Sequence, residues 1–255
     1  MSKASDLIQT RPPKILLMGK WGSGKTALAM SLGEKAEMLD LENGVYASRI
    51  EDQWKTQREN VNVEGFYDTT PGQATAWARL KSHVDKIAVG IQQKKWNRQA
   101  LIIDSLTAVQ EISLNFVMAN SGKLGKQPEI QHWGMNFNEM ANLLQQLRAI
   151  PIPVIVLAHV VQTIENESVK LELAVPGKAN PQKIPGMFTE VLYCKVETGA
   201  ANKTRFLLQS KPSGLISCRS SSQIEDNYDM TQGMDKLIEK MGWKWKEETK
   251  ETTTV

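Results

Sequence analysis

The chain has 255 residues, of which 41% are hydrophobic and 23% are charged, with a formal net charge of +3. This composition is ordinary for a soluble globular protein, and the mild positive charge permits nucleic-acid binding without indicating it. No window approaches about 18 consecutive apolar residues, which excludes a transmembrane helix. Cys194 and Cys218 form no metal-ligand cluster, so we expect reduced thiols in a cytoplasmic protein.

Apolar runs and helical periodicities alternate along the chain. Strands and helices are predicted in this order: strand 14–18, helix 26–36, strand 37–41, helix 45–60, strand 61–67, helix 72–93, strand 100–104, helices 105–119 and 133–149, strand 153–158, a possible hairpin strand 168–175, strands 190–197 and 204–209, and helix 231–241. This order predicts an α/β fold, a mostly parallel twisted sheet with helices on both faces and an antiparallel extension at one edge.

No composition shift or repeat divides the chain. We expect one domain over 14–245, preceded by a short arm at 1–13 and followed by a disordered tail at 246–255. The arm lacks the apolar centre of a signal peptide.

Residues 19–26 read GKWGSGKT, a full match to the phosphate-binding pattern G-x-x-x-x-G-K-T between a predicted strand and a predicted helix. Glycines allow a tight backbone nest whose N–H groups surround a phosphate, and a helix start adds its positive dipole end. Lys25 can reach the β- and γ-phosphates, and Thr26 can offer its hydroxyl to Mg²⁺. The predicted nucleotide-binding residues are Gly19, Lys20, Trp21, Gly22, Ser23, Gly24, Lys25, Thr26 and Ala27.

Asp104 follows the apolar strand ALII, at the end of a strand where ligands of open α/β sheets bind. A carboxylate there can hold Mg²⁺ through its water shell. The alternative is that Asp104 caps the helix that follows, and both roles are compatible.

Glu42 and His159 each follow a predicted strand as well. Glu42 could orient or deprotonate a water molecule, or it could be a turn residue before Asn43 and Gly44. His159 could contact a γ-phosphate, or it could be a packed histidine. Spacing alone does not decide between these roles.

The order GKWGSGKT, LDLE, LIIDSLTAV and VIVLAH resembles the RecA-like recombinase core over about residues 14–210. More narrowly, the chain resembles compact phage and prophage ATP-binding proteins, including single-strand annealing proteins with such a core. The resemblance implies that Glu42 activates the attacking water and that His159 stands near the position of a nucleotide sensor. RecA carries an Asn-Gln pair where this chain has Ala158-His159, and its N-terminal domain has no counterpart before residue 14.

The resemblance also implies DNA contact through two loops, here 120–132 and about 160–186. Their lysines are the predicted DNA-binding residues: Lys123, Lys126, Lys178 and Lys183. Lysines between glycines and prolines suit phosphate contact without base readout, although solvated loops often carry lysines too. RecA-like sites take a basic residue from a neighbouring subunit, and Lys211 and Arg219 are the candidates.

These expectations predict an ATP- and Mg²⁺-dependent ATPase that acts on single-stranded DNA in recombination or annealing and self-associates as a filament or ring. Its partners would include a single-strand-binding or replication protein, and no membrane. The alternatives are an ATPase that loads or remodels a replication protein and a small-molecule kinase. The absence of arginine from 111–132 argues against the lid of a kinase.

Overall fold

The structure is a computed structural model, and it describes residues 11–45, 54–70, 72–165, 167–176, 180–198 and 203–246. Predicted features within the remaining residues, including Lys178 and most of the arm and tail, lie outside the described residues. The one-domain division of the chain stays a prediction.

The central feature is a twisted sheet in the order β10-β8-β7-β1-β5-β4-β2-β3. The described strands are β1 (Lys14–Gly19), β2 (Ala36–Asp40), β3 (Asn62–Gly65), β4 (Ala100–Asp104), β5 (Val154–Glu165), β6 (Ser168–Leu173), β7 (Glu190–Thr198), β8 (Thr204–Gln209), β9 (Arg219–Ser220) and β10 (Tyr228–Asp229). Strands β7, β1, β5, β4, β2 and β3 run parallel, whereas β8, β9 and β10 pair antiparallel at one side. The α/β sheet with an antiparallel extension is therefore confirmed.

Helices cover both faces of the sheet. They are α1 (Lys25–Met30), α2 (Lys55–Glu59), α3 (Ala76–Gln92), α4 (Leu106–Asn120), α5 (Ile130–Ala149), α6 (Asn180–Lys183) and α7 (Gly233–Lys240). Strand β1 is buried on both faces: Leu16 and Met18 join a core layer with α3, α4 and α5, while Ile15 and Leu17 join a layer with α1 and α7. Such continuous apolar runs are typical of parallel strands between two helical layers.

Several helix boundaries differ from the predicted ones because side chains cap the backbone. Helix α1 ends at Met30, where the Ser31 hydroxyl donates to the carbonyl of Leu28 and accepts from the backbone of Met234. Helix α3 begins four residues after 72, because the Asp68 carboxylate accepts the N–H groups of Thr75 and Ala76.

Helix α5 begins three residues earlier than predicted. The ring of His132 turns back to accept the N–H of Glu129, while the Glu129 side chain accepts from the backbone of His132. This reciprocal capping box shortens the predicted loop 120–132 to residues 121–129. Of the helix predicted over 45–60, the described part is helical only at Lys55–Glu59.

The segment 160–186, predicted to be a loop, largely has regular structure. Strand β5 pairs with β1 only as far as His159 and then continues to Glu165, paired with β6 in an antiparallel hairpin. The second half holds α6 and a 3₁₀ turn at Ile184–Met187. The loop prediction is wrong for the described part of this segment, although the hairpin strand at 168–175 was expected. The six residues 160–165 extend the hairpin about 20 Å beyond the carboxyl edge of the parallel sheet.

Helix α5 also extends past that edge. Glu139 accepts hydrogen bonds from Trp77 and Lys81 in the first turns of α3, and Gln146 bonds Asp85 further along, so the two helices run parallel. Nine residues of α5 precede Glu139, a length of about 13 Å at 1.5 Å per residue. The loop 121–129 therefore lies beyond the carboxyl edge, on the same side as the β5–β6 hairpin.

Within the described residues, the search for a helix with the length and apolarity of a membrane span found none.

Candidate nucleotide site

The predicted phosphate loop forms the base of an open cleft of about 1100 Å³ at the carboxyl edge of the sheet. The loop connects β1 to α1, and Gly24 precedes the helix in the left-handed region at φ 82°. A Cβ on Gly19 would lie 2.9 Å from the carbonyl oxygen of Cys194 on β7, so this position has room for glycine alone. The close packing of β1 against β7 and the left-handed Gly24 give the loop a tight turn, the backbone geometry in which N–H groups can surround a phosphate as a cradle.

Lys25 occupies the centre of this cradle. Its Nζ donates to the carbonyl oxygens of Gly19 and Lys20, each at 3.0 Å. Burial lowers the pKa of the Lys25 ammonium, although the negative charges of Asp104 and Glu42 partly oppose this shift. A phosphate in the cleft would add a negative charge that stabilises the buried ammonium.

Asp104 lies at the end of β4 with its carboxylate directed at the phosphate loop. Its Oδ2 accepts a hydrogen bond of 2.8 Å from the hydroxyl of Thr26. Burial raises the pKa of Asp104 to about 6, the hydrogen bond from Thr26 counteracts this, and the nearby charges of Glu42 and Asp40 add to the rise. The structure assigns the helix cap to Ser105, whose side chain accepts from the N–H of Ala108.

The alternative prediction, that Asp104 caps the helix that follows, is therefore wrong. Asp104 and Thr26 instead form a carboxylate–hydroxyl pair of the kind that holds Mg²⁺, since hard cations prefer oxygen ligands. Burial destabilises the ionised form of Asp104, which fits a site for a metal ion. The loop at Gly19, where only glycine has room, fits the phosphates of a nucleotide.

Glu42 joins the same cleft from the turn after β2. One carboxylate oxygen accepts from the hydroxyl of Ser105, and the other lies 3.3 Å from Nε2 of His159. The hydrogen bond with His159 lowers the pKa of Glu42 most strongly, and the bond from Ser105 acts in the same direction against the effect of burial. Glu42 is therefore a carboxylate at neutral pH.

Asp40 shapes the turn that carries Glu42. Its Oδ1 accepts the backbone N–H groups of Glu42 and Gly44 at 3.1 and 3.2 Å. These hydrogen bonds give Asp40 a structural role in the turn.

His159 stands at the last residue of β5 that pairs with β1, opposite Gly19. The indole of Trp21 approaches the His159 ring edge-on, with ring centroids 6.3 Å apart. Trp21 is 86% exposed, so the tip of the phosphate loop carries a large apolar surface beside the cleft.

Phe206 is a cleft residue that the sequence analysis missed. Its ring lies 3.3 Å from the position of a Cβ on Gly24, on the side of the loop away from Glu42 and His159. The predicted strand 204–209 contains Phe206, but the alternation of side chains along this strand does not indicate that the ring lies beside the phosphate loop.

The predicted DNA-binding lysines within the described residues are Lys123, Lys126 and Lys183, and they lie on the projecting side of the molecule. The ammonium of Lys123 forms an ion pair with Glu129, and Lys126 is exposed on the same loop. Lys183 lies 5.8 Å from the ring centroid of Phe137 on the projecting part of α5. Lys183 therefore lies next to the first half of α5, the helix that follows the loop 121–129.

Arg219 and Lys211 are not among the residues that line the cleft of their own chain. The guanidinium of Arg219 donates to the carbonyl of Phe188, just before β7 begins, at the amino edge of the sheet. The backbone of Lys211, past the end of β8, donates to Asp226. Neither residue reaches the cleft of the same chain, so a catalytic role requires a second subunit.

Two comparisons with known proteins bear on this geometry. No curated protein matches the sequence at a significant level. A family model described as an AAA domain, AAA_24, matches residues 11–217, which include the phosphate loop, Glu42, Asp104 and His159. The match spans most of the chain and agrees with the mostly parallel sheet around a phosphate cradle. The chain belongs to the AAA_24 family and is a nucleotide-binding P-loop NTPase.

Proposed function

We propose that this protein is a Mg²⁺-dependent ATPase of the RecA-like, phage-type class, and that it acts on single-stranded DNA in recombination or strand annealing. The observation that carries the proposal is the convergence of Lys25, the Thr26–Asp104 pair, Glu42 and His159 on one cleft. The DNA part rests in addition on two structural projections that flank this cleft.

Each group of the cleft has a distinct task in phosphoryl transfer. Thr26 and Asp104 would hold Mg²⁺, which neutralises phosphate charge when bound. Lys25 is positioned to bind the β- and γ-phosphates, because its ammonium lies inside the glycine cradle. Catalysis of this kind depends on positioning and electrostatic stabilisation rather than on covalent chemistry.

Glu42 is the group best placed to orient the attacking water. It is ionised and lies beside His159 and Ser105, at the side of the cleft opposite Phe206. A carboxylate with a lowered pKa is a weak base, so we assign it mainly to the orientation of water. His159 would contact the γ-phosphate, and the strand that carries it leads directly into the β5–β6 hairpin.

The DNA surface that we propose consists of the loop 121–129 and the β5–β6 hairpin. Both extend beyond the carboxyl edge, next to the nucleotide cleft. Lys126 on the loop and Lys183 beside α5 supply positive charge for phosphates. Lys123 contributes less, because its ammonium is already paired with Glu129.

A protein partner is the second candidate for this surface. Ile164 and Val169 face each other across the hairpin tip and are 76% and 44% exposed. Apolar side chains at a projecting tip suit contact with a protein such as a replication factor. Self-association in a filament or ring would bring Arg219 or Lys211 of one subunit near the cleft of the next.

An ATPase assay with and without single-stranded DNA tests the proposal. We expect Mg²⁺-dependent hydrolysis that DNA stimulates, and a weaker stimulation in Lys126→Ala. The exposed Lys95, at the opposite end of α3, provides the matched control Lys95→Ala. Each lost phosphate contact should lower the salt slope of single-strand binding by about 0.7.

The outcomes separate the two parts of the proposal. Absence of Mg²⁺-dependent hydrolysis under all conditions contradicts the ATPase. Hydrolysis without DNA binding or stimulation contradicts the DNA role and favours the protein-partner alternative.

A further inference from the structure

The nucleotide cleft has two sides, and the strand order of the sheet separates them. Strands β5, β4 and β2 lie on one side of β1, whereas β7 and β8 lie on the other. His159 and Asp104 belong to β5 and β4, and Glu42 follows β2, so all three polar groups approach from the first side. Phe206 on β8 lines the cleft from the second side.

This asymmetry gives a bound nucleotide one direction across the cleft. In loops of this type the lysine reaches the β- and γ-phosphates, while backbone N–H groups hold the α- and β-phosphates. Glu42 and His159 are the groups that the proposed function assigns to the attacking water and the γ-phosphate. Because the phosphates form a linear chain, a γ-phosphate on the β5 side makes the α-phosphate, the ribose and the base extend towards β7 and β8.

The sheet register places the Phe206 ring at the level of the phosphate loop, on the face of the sheet that α1 covers. Gly19 ends β1 and pairs with Cys194 on β7, and Phe206 pairs with Val196, two residues further along β7. Phe206 therefore lies about 7 Å beyond the end of β1 along the strand direction. Leu208, two residues from Phe206, packs in the layer with α1 and α7, so both side chains point to that face.

The Phe206 ring is packed in place without a nucleotide. One ring carbon lies 3.3 Å from the position that a Cβ on Gly24 would take, and the terminal methyl of Met230 lies 3.2 Å from the same point. Met230 is buried and directly follows β10, which pairs with β8, so it supports the ring from the neighbouring strand. Phe206 itself is only partly buried. A side chain that is already packed loses little conformational entropy when a ligand contacts its open part.

The other aromatic rings among the described residues that line the cleft are on the opposite side. They belong to Trp21 and His159, which approach each other edge-on with ring centroids 6.3 Å apart. His159 lies on β5, so this ring pair is at the γ-phosphate end of the cleft. Phe206 is the ring at the nucleoside end, and aromatic side chains bind nucleobases by stacking on their π-face.

We propose that Phe206 stacks on the base of the bound nucleotide and holds the nucleoside on the β8 side of the phosphate loop. The inference rests on the nucleotide site of the proposed function, but it requires neither hydrolysis nor DNA. Phe206 then contributes to the affinity for ATP and not to the affinity for a polyphosphate that has no base.

Calorimetric titration of the full chain with Mg²⁺–ATP and with Mg²⁺–tripolyphosphate separates the base contact from the phosphate contacts. Phe206→Leu keeps an apolar side chain against Gly24 and Met230 but removes the aromatic face. It should bind ATP about 5- to 100-fold more weakly than the wild type, as expected for the loss of one stacked base. Its affinity for tripolyphosphate and its melting temperature without ligand should match the wild type. Phe206→Tyr, which keeps the ring, should retain the affinity for ATP.

Unchanged ATP affinity in Phe206→Leu overturns the proposal. An equal loss of affinity for ATP and for tripolyphosphate also overturns it, because the ring would then only support the phosphate loop. In both cases the wild type still binds Mg²⁺–ATP, so the nucleotide site of the proposed function remains. Absence of ATP binding by the wild type would contradict that site itself, and the stacking contact with it.

Discussion

Replacement of Asp104 by asparagine is expected to stabilise the ligand-free protein at neutral pH. The carboxyl group is buried, and its pKa rises from 3.8 to about 6 in the folded state. A shift of about 2 units, at 1.36 kcal/mol per unit, corresponds to a cost of about 3 kcal/mol when the group is ionised. Asparagine removes this cost and retains a carbonyl oxygen that can accept the hydrogen bond from Thr26.

The sign of the pH dependence follows from the direction of the shift. Because the folded pKa lies above the unfolded one, the wild-type protein loses stability as pH rises from about 4 to above 6. Asp104→Asn should therefore be more stable than the wild type by up to about 3 kcal/mol at pH 7.5, and the difference should shrink towards pH 4. Urea denaturation at both pH values, without nucleotide, measures this difference.

Asp68 provides a control of opposite sign. Its carboxylate accepts N–H groups at the start of α3, and burial opposes the hydrogen bonds from Thr75 and Ala76 that lower its pKa. Asp68→Asn should therefore lose stability at pH 7.5 and approach the wild type at low pH. Equal or lower stability of Asp104→Asn at pH 7.5, or a pH-independent difference, would refute the reasoning about Asp104. Mg²⁺–ATP should then raise the melting temperature of the wild type and not that of Asp104→Asn.

The remaining predictions concern the phosphate loop and the turn after β2. Lys25→Ala should abolish ATP binding in a titration, since it removes the positive charge within the phosphate loop. Unchanged affinity would contradict the assignment of this loop as a phosphate site. Glu42→Gln should retain ATP but hydrolyse it at least about 100-fold more slowly in a single-turnover assay, and wild-type turnover would mean that another group positions the water. Gly19→Ala should weaken ATP binding because its methyl group would meet the carbonyl of Cys194; an unaffected dissociation constant would contradict the close strand packing there.

Local patterns were sufficient for much of the fold. Strands β1 and β4 and the part of β5 within the sheet are short apolar runs, and Ala76, Leu80, Val84 and Ile87, which are three or four residues apart, form a fully buried face of α3. Periodicity could not place the helix ends, however. Those ends depend on capping by Asp68 and His132, whose partners are chosen by the local chain path rather than by the hydrophobic pattern.

The β5–β6 hairpin is a second feature that the local sequence pattern did not predict in full. The apolar run that predicted strand 153–158 ends where β5 leaves the core, and the continuation to Glu165 mixes Val160, Val161 and Ile164 with polar residues, so it shows no clear pattern of burial. Its regular structure depends on pairing with β6, which is a tertiary contact.

The ligand class and the chemical groups of the site follow from local sequence patterns. GKWGSGKT specifies a phosphate cradle through local backbone geometry, and acidic residues at strand ends must meet at the carboxyl edge of a parallel sheet. How those groups pair depends on the fold: Asp104 contacts Thr26, Glu42 contacts His159, and Ser105 caps the helix. The tertiary structure also brought Phe206 to the cleft. Such pairings join residues far apart in the chain, so they depend on strand order and helix packing, which no local pattern specifies.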